Sequence, residues 1–492
     1  MRGQRGSAAF RQPRVPEAPL SPTAQVKAAI VAAASGPRSS RTTGFLFDTI
    51  SKKEAAVAPL LGIYLGLAVA RLHERFPVLQ VPYLLWGMMA IMLATVVASI
   101  PAGGLKETWN RSPQLRYVGV LAILAVVTVP LGVWMTGSFD YLVNRFTVTL
   151  AVYVACLLLL RDRKALRRIV ALYVVITTVV AGTNVVAYYN NDVTSTMMSE
   201  DQRAEYLLTG EANAELMRQS FGSLDPNDIA AVMATTVPLA LWLAIGNLRR
   251  RLLWTASALI MVIAVIPTAS RGGLLGLAVG AIVLVLVGAK GWKRVFLVGT
   301  LAAGAFAFIT LAGSQMDRMG DFGGGDYNYT ASEGRIAIWK RGIVWTLKRP
   351  WGYGLDNFPI YFGWLNGPDR AAHNSLIQYS VELGVLGITA YLMICYTLVK
   401  SLLRIRRNAL SGASQELGTL CGHVLATLAA CWTTGFFLSN AYYPLTYMAL
   451  GIGSAVVLSA TETPMLNPLA AVGKAIGLPG RRRRQLKAFD AA

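Results

Sequence analysis

Twelve apolar runs dominate the sequence, and each is close to the length that crosses a lipid bilayer as an α-helix. They lie near residues 55–70, 78–100, 117–136, 141–160, 169–189, 228–247, 252–269, 272–288, 295–313, 376–399, 416–438 and 441–460. Hydrophobic residues make up 54% of the chain and charged residues only 14%, whereas about a quarter of a soluble globule is charged. The sequence therefore predicts an all-α polytopic membrane protein with about twelve transmembrane helices.

The basic residues predict which ends of these helices face the cytoplasm. An even number of spans places both termini on one side, and 33 of the 46 Lys and Arg residues fall on that side, against 12 on the other. Cytoplasmic segments of membrane proteins collect Lys and Arg. Both termini are therefore predicted to be cytoplasmic. The same bias accounts for the net charge of +21 without nucleic acid as a partner.

Composition divides the chain into five segments. They are a basic cytoplasmic tail (1–53), nine spans (54–313), a long periplasmic loop (314–375), three spans (376–460) and a second basic cytoplasmic tail (461–492). The first tail is polar, rich in Ser, Pro and Ala, and lacks an early apolar core. It is therefore predicted to be disordered rather than a cleavable signal peptide.

The 314–375 loop is far longer than an ordinary connection, which is typical of functional or disordered loops. Thr330 and Glu333 have the spacing of a helix capping box, and Pro350 ends the helical pattern. Apolar residues follow the cap at helical spacing, namely Ile336, Trp339, Ile343 and Leu347. This pattern predicts an amphipathic helix that lies at the membrane surface.

His373 is one of three histidines and stands just before the tenth apolar run. Ser375 and Gln378 also have capping-box spacing, so the tenth span is predicted to start there. A helix N-terminus attracts anions such as phosphate and favours a neutral imidazole, which can accept a proton. The alternative is an interfacial histidine that only packs or caps.

Two arginines stand out on the same predicted side. Arg271 lies between two apolar runs and is followed by Gly272 and Gly273, which allow another backbone or a ligand to approach closely. A guanidinium there can bind phosphate through two hydrogen bonds, although a single surface Arg is commonly an anchor. Arg335 shares a helical face with Ile338, so it is predicted to lie along the apolar edge, where an Arg more often binds a ligand.

Five further residues are candidates for substrate binding. Lys340 and Arg341 add basic charge to the predicted surface helix, where such residues usually contact lipid headgroups. Asn374 adjoins the histidine. Asp225 and Asn227 flank a proline at the start of the sixth span, and the alternative there is a plain helix start capped by Asn227. No metal-ligand spacing appears in the sequence, and neither a metal nor a cofactor is predicted.

The order of three motifs resembles the O-antigen ligase and O-antigen polymerase superfamily. These are SRGG (270–273), an R-x-x-x-W pattern (335–339) ahead of RPWGYGLDNF (349–358), and HNSLIQYSVELGVLG (373–387). The resemblance covers roughly residues 225–400. It implies a metal-independent glycosyltransferase on the outer face of a bacterial inner membrane, with a glycan on undecaprenyl pyrophosphate as donor.

The resemblance also implies roles for single residues. His373 would be the catalytic residue, and Arg271 and Arg335 would bind the pyrophosphate. Attack on the anomeric carbon opposite the leaving group predicts inversion. In ligases the acceptor is the lipid A–core sugar, and in polymerases it is the growing glycan.

The sequence leaves the function open between a ligase, favoured here, and a polymerase of the same chemistry. A polysaccharide transporter is a more distant alternative. Transporters usually carry ionisable residues deep in their spans or broken helices near the bilayer midplane. Only Arg145 and Glu382 are predicted to be embedded in this way.

The charge bias makes the topology testable with reporter fusions. A reporter fused after Gly320 is expected in the periplasm, and one fused after Arg407 in the cytoplasm, since the basic segments lie on the cytoplasmic side. Alkaline phosphatase and green fluorescent protein activities of the two fusions measure this. Two fusions that report the same side would contradict the twelve-span topology.

Overall fold

The computed structural model describes residues 59–71, 73, 79, 81, 83–99, 104–160, 162–190, 225–268, 270–288, 334–366, 370–410 and 415–462. The predicted tails, apart from residues 461 and 462, and the predicted ninth span lie outside these residues. Within this part of the chain every regular element is helical.

The helices are numbered here in chain order. They are α1 (Pro59–Ala68), α2 (Leu84–Ser99), α3 (Gly104–Arg111), α4 (Pro113–Thr128), α5 (Met135–Tyr141), α6 (Thr147–Leu159), α7 (Arg163–Tyr189), α8 (Pro226–Leu243), α9 (Leu248–Val265), α10 (Arg271–Gly288), α11 (Arg335–Lys348), α12 (Phe358–Asn366), α13 (Ser375–Glu382), α14 (Gly384–Leu410), α15 (Gln415–Phe436) and α16 (Pro444–Glu462). A π-helical turn, Leu142–Phe146, joins α5 to α6.

Five segments of the described chain are long and apolar enough to cross a membrane. They are Met135–Leu159, Arg163–Tyr189, Leu248–Thr268, Gly384–Ala409 and Gln415–Phe436. Shorter apolar helices accompany them, among them α4, α10 and α16. These helices agree with a multi-pass membrane protein, and the count of twelve spans stays a prediction.

Helix α15 lies at the centre of the described bundle. It is 72% buried, the largest share among the five candidate spans, and it packs against α8, α10, α14 and α16. Gly272, Gly276 and Gly280 recur every four residues on the face of α10 that meets it. A Cβ on Gly276 would lie 2.5 Å from Thr434 Cγ2, and one on Gly280 would lie 3.2 Å from Ala430 Cβ. Small residues at this spacing let membrane helices approach closely.

The third predicted span, 117–136, is wrong at its end. Helix α4 stops at Thr128, two residues before Pro130, because proline has no backbone N–H to continue the helical hydrogen bonds. The chain then turns, and the N–H of Val133 donates to the carbonyl of Tyr353 at 3.0 Å. The segment after α4 is thereby paired with the segment that follows α11.

The predicted tenth span, 376–399, is broken near its start. Helix α13 ends at Glu382 and α14 begins at Gly384, whose φ of +70° favours glycine. The N–H of Val385 donates to the carbonyl of Pro350 at 2.8 Å across this break. The long candidate span therefore starts at Gly384, and the eight residues of α13 form a separate helix before it.

The helix predicted in the 314–375 loop is present as α11, which begins at Arg335. The predicted cap residues Thr330 and Glu333 lie outside the described residues. The buried residues of α11 are Ile338, Gly342, Trp345 and Thr346. Of the predicted apolar stripe, Ile343 and Leu347 are exposed, whereas Trp339 packs against the protein and its ring N–H donates to the carbonyl of Ala372 at 2.9 Å.

The close approach of α10 and α15 is testable by overpacking. Gly276→Val is expected to lower stability by about 1–3 kcal/mol, because the new side chain meets Thr434 and the backbone of Ala430. The matched control is Gly182→Val in α7, since a Cβ there has no atom within 4 Å. Thermal unfolding of both variants in detergent measures the difference. Equal melting temperatures would contradict close packing at Gly276.

Candidate active site

The turn between α15 and α16, Phe437–Tyr443, is called here the 437–443 turn. The hydroxyl of Ser375, the first residue of α13, donates to the carbonyl of Leu438 at 2.9 Å and accepts from the N–H of Asn440 at 3.0 Å. The side-chain carbonyl of Gln378 accepts from the N–H of Ala441 at 3.3 Å. Helix α13 is thereby fixed to the turn at two successive levels.

The predicted capping box of Ser375 and Gln378 is therefore wrong. Asn374 is the N-cap of α13, and its side-chain oxygen accepts from the N–H groups of Leu376 and Ile377 at 2.9 and 3.2 Å. An Asn at the N-cap satisfies N–H groups that the helix leaves unpaired. Ser375 and Gln378 are thus available to bind the 437–443 turn.

His373 directly precedes this cap and is half-buried. Its φ is +47°, a region that few residues other than glycine adopt. Its backbone N–H donates to the Ser439 hydroxyl at 2.8 Å. The cap on one side and Ser439 on the other fix the backbone of His373 at the start of α13, as its position before the tenth apolar run predicted.

Arg335 is the first residue of α11 and is half-buried. Its Nη1 donates to the carbonyl of Phe437 at 3.2 Å. The adjoining face of α11 packs on α13, since Ile338 is buried and a Cβ on Gly342 would lie 2.5 Å from Ile377 Cγ2. The predicted place of Arg335 at the edge of an apolar face is the one observed.

Arg271 is the first residue of α10 and is also half-buried. A Cβ on the next residue, Gly272, would lie 3.1 Å from the Cβ of Phe437. A Cβ on Gly273 would lie 2.3 Å from that of Ala230 in α8. The two glycines therefore allow other parts of the protein to approach closely. The sequence predicted such an approach by either another backbone or a ligand.

The three main predicted residues thus converge on one short stretch, Phe437–Ser439. Arg335 binds the carbonyl of Phe437, the start of α10 that carries Arg271 packs on the same residue, and His373 binds Ser439. Two guanidinium groups and the N-terminal end of α13 are brought to one end of the bundle. Such a combination stabilises negative charge.

A polar cluster lies farther along the same turn. Asp225 is the N-cap of α8 and accepts from both the backbone N–H and the side-chain amide of Asn227 at 2.7 Å. Asn227 is therefore not the cap, contrary to the prediction. Asp228 lies close enough to Arg71 and to the side chain of Asn440 to interact electrostatically with both. The start of α8 is thus connected to the 437–443 turn.

The other three candidates for substrate binding are placed differently. Lys340 is exposed on α11. The guanidinium of Arg341 lies 5.5 Å from the centroid of the Phe362 ring in α12, a cation–π distance. Asn374 is only 3% exposed, and its oxygen is occupied by the cap. Arg341 and Asn374 therefore make local structural contacts.

Glu382 fixes the segment that precedes α12. Its buried carboxylate accepts from the N–H groups of Asp356 and Phe358 at 3.1 and 3.3 Å. Burial raises the pKa of Asp356 to about 6, and the nearby Arg145 opposes this shift. Glu382 is buried as predicted, whereas Arg145 is exposed on the π-helical turn. The carboxylate thus has a structural role in holding backbone.

Residues 256–392 match the family model described as O-antigen ligase. The matched segment contains Arg271, Arg335 and His373, so the resemblance that the motifs indicated is confirmed over a little more than a quarter of the chain. No curated protein matches the chain.

The 437–443 turn lies outside the part similar to O-antigen ligase, and sequence reasoning missed it. The only signal is the pair Ser439 and Asn440, which interrupts two apolar runs just before Pro444. Such a pair also occurs in any short connection, so only the fold distinguishes this one.

An apolar cavity of about 430 Å³ opens between α14 and α15. It reaches Ser375 of α13 and Phe437 at one end and is lined farther away by Tyr391, Cys395 and Trp432. Neither Arg271 nor Arg335 lines the cavity, which meets Arg335 only through Phe437. Among the described residues, no group of three or more His, Cys, Asp or Glu is placed to hold a metal ion.

Proposed function

We propose that the protein is an O-antigen ligase-like glycosyltransferase. It moves a glycan from undecaprenyl pyrophosphate to an acceptor hydroxyl of lipid A–core, with inversion and without a metal or cofactor. The reaction takes place on the periplasmic face of a bacterial inner membrane, and both termini are cytoplasmic. The observation that carries the proposal is the convergence of Arg271, Arg335 and His373 on Phe437–Ser439.

The arginines act on the leaving group. As the bond to the anomeric carbon breaks, negative charge develops on the pyrophosphate. Arg271 and Arg335, with the N-terminal end of α13, stabilise this charge. Arg335 is held at Phe437 through its guanidinium, and Arg271 through the close approach of the adjoining Gly272 to Phe437, so little reorganisation is needed during the reaction.

His373 acts on the acceptor. Its neutral imidazole takes the proton of the acceptor hydroxyl as that oxygen forms a bond with the anomeric carbon. The bond between this carbon and the pyrophosphate oxygen breaks, its electron pair leaves with the lipid pyrophosphate, and the proton then passes from His373 to solvent. The fixed backbone of His373 supports this role because proximity of the reacting groups supplies much of the rate.

The apolar cavity supports a lipid-linked donor. Its apolar lining ends at Phe437, whose carbonyl binds Arg335. The first isoprene units of the carrier fit there while the pyrophosphate meets the arginines. Sites of this type combine an apolar lining with a few polar groups that fix the orientation of the ligand.

A polymerase of the same chemistry is the second candidate, because the match to O-antigen ligase leaves the acceptor open. A strain that lacks the protein separates the two. Long glycans left on the lipid carrier indicate a ligase, and single repeat units on the acceptor indicate a polymerase. A polysaccharide transporter is less well supported, since Glu382 binds backbone instead of lining a path.

The arginines should not tolerate lysine. Arg271→Lys and Arg335→Lys are each expected to lower kcat by about a hundredfold or more, because Lys keeps the charge but lacks the planar fork that matches pyrophosphate. Transfer by purified protein from lipid-linked donor to lipid A–core measures this. The control is Arg167→Lys, whose guanidinium also binds a carbonyl, that of Ile245. If both variants are about as active as the control, the two arginines serve only as surface anchors and the proposed role is wrong.

His373→Ala is expected to lower transfer by about 10²- to 10⁴-fold, the usual contribution of general-base catalysis. His373→Gln keeps hydrogen bonding but cannot take up a proton. A loss in the Gln variant equal to that in the Ala variant supports base catalysis, whereas activity near wild type means that His373 only orients the acceptor. If His373→Ala transfers glycan as fast as wild type and binds donor equally well, the proposed catalytic role is wrong.

A further inference from the structure

Helices α7 and α8 run antiparallel, and two contacts fix their register. The guanidinium of Arg167 donates to the carbonyl of Ile245 at 2.8 Å, and the hydroxyls of Tyr173 and Thr236 lie 3.1 Å apart. Residue numbers rise along α7 in the direction in which they fall along α8. Continued beyond Tyr173, this register brings Asn184 to the level of Asp225.

Asn184 is 2% exposed, and within the described residues neither atom of its amide has a hydrogen-bond partner. It follows Tyr173 by eleven residues, about three helical turns, so it lies on the same face of α7, towards α8. Asp225 precedes Thr236 by the same interval. Buried polar groups are nearly always paired, and an exception needs an explanation.

The residues around this level differ in charge from those at Phe437. Asp225 and Asp228 bring two carboxylates, and Arg71 brings one positive charge, which interacts with Asp228 and with Tyr443. Carboxyl groups offer a pyrophosphate no positive charge. Together with an unpaired amide they offer hydrogen-bond acceptors and a donor, which is the set that sugar hydroxyls require.

The two kinds of groups lie on opposite sides of His373 along the 437–443 turn. Arg335 binds the turn at Phe437 and His373 binds it at Ser439, whereas Asp228 lies near its Asn440 side chain. In an inverting transfer the acceptor approaches the anomeric carbon from the side opposite the leaving group. The carboxylate side therefore suits the acceptor, and the arginine side suits the donor.

We propose that Asn184, Asp225 and Asp228 form the subsite for the acceptor sugar, with the Asn184 amide bound to one of its hydroxyls. This inference rests on the proposed function and names the acceptor-binding residues of the same site. A ligand hydroxyl that reaches Asn184 gives its amide the partner that the described residues do not supply.

Asn184→Leu tests the subsite because it replaces the amide by an apolar group of similar size. Purified protein in nanodiscs is assayed with undecaprenyl-pyrophosphate-linked glycan as donor and lipid A–core as acceptor. The KM for lipid A–core is expected to rise at least tenfold. The kcat and the KM for the donor are expected to stay close to wild type, and the melting temperature to stay the same or rise. Asn184→Ser keeps a hydroxyl and is expected to lose less, which guards against a folding defect in the Leu variant.

The control is Thr183→Val in the same turn of α7, since that hydroxyl is satisfied by the carbonyl of Val180 at 2.9 Å. A raised melting temperature of Asn184→Leu with an unchanged KM for lipid A–core would mean that the amide only holds a buried water, and the proposal would be wrong. A rise in the KM for the donor alone would also overturn it.

Binding of lipid A–core and of the lipid-linked glycan, without turnover, separates this proposal from the proposed function. Wild type that binds lipid A–core tenfold more tightly than Asn184→Leu does, but transfers no glycan to it, would leave the subsite standing and overturn the transferase. Equal binding of lipid A–core by wild type and Asn184→Leu, or no binding of lipid A–core by wild type, would overturn the subsite.

Discussion

The hydrogen bonds between Ser375 and the 437–443 turn connect the parts of the molecule that carry its candidate chemistry. Through them the start of α13 is held against the junction of α15 and α16, and His373 is held beside Ser439. A buried hydroxyl that both donates to one backbone carbonyl and accepts from one N–H fixes position as well as distance. The catalytic proposal depends on this contact because the histidine precedes α13 by only two residues.

Close packing of small residues serves the same end of the bundle. The glycines of α10 let its backbone approach α15 and α8, so that Arg271 starts its helix next to Phe437. Arg335 reaches Phe437 from α11. A larger residue at Gly276 would separate α10 from α15 and move the start of α10, which carries Arg271, away from Phe437. Helix packing and the proposed binding of pyrophosphate are therefore coupled.

The break between α13 and α14 gives the RPWGYGLDNF segment its place. Gly384 turns the chain, Pro350 accepts the N–H of Val385, and the Glu382 carboxylate binds two further N–H groups of the segment. An ionisable residue that sequence reasoning placed in the membrane thus satisfies backbone groups that would otherwise be buried unpaired. This use of a carboxylate has no pattern in the sequence, because its partners lie about 25 residues away.

Hydropathy by itself determined the class of this protein, since a bilayer admits helices whose apolar length is read directly from the chain. The motifs by themselves indicated the O-antigen ligase resemblance and the residues Arg271, Arg335 and His373. Predictions from local patterns were wrong where a side chain binds a distant partner instead of a near one. Ser375 and Gln378 matched a capping box but bind a turn more than 60 residues away. Only the tertiary structure decided that the 437–443 turn unites the site and that Asn184, on the face of α7 towards α8, has no partner among the described residues. These features follow from helix packing and register, which no short stretch of sequence encodes.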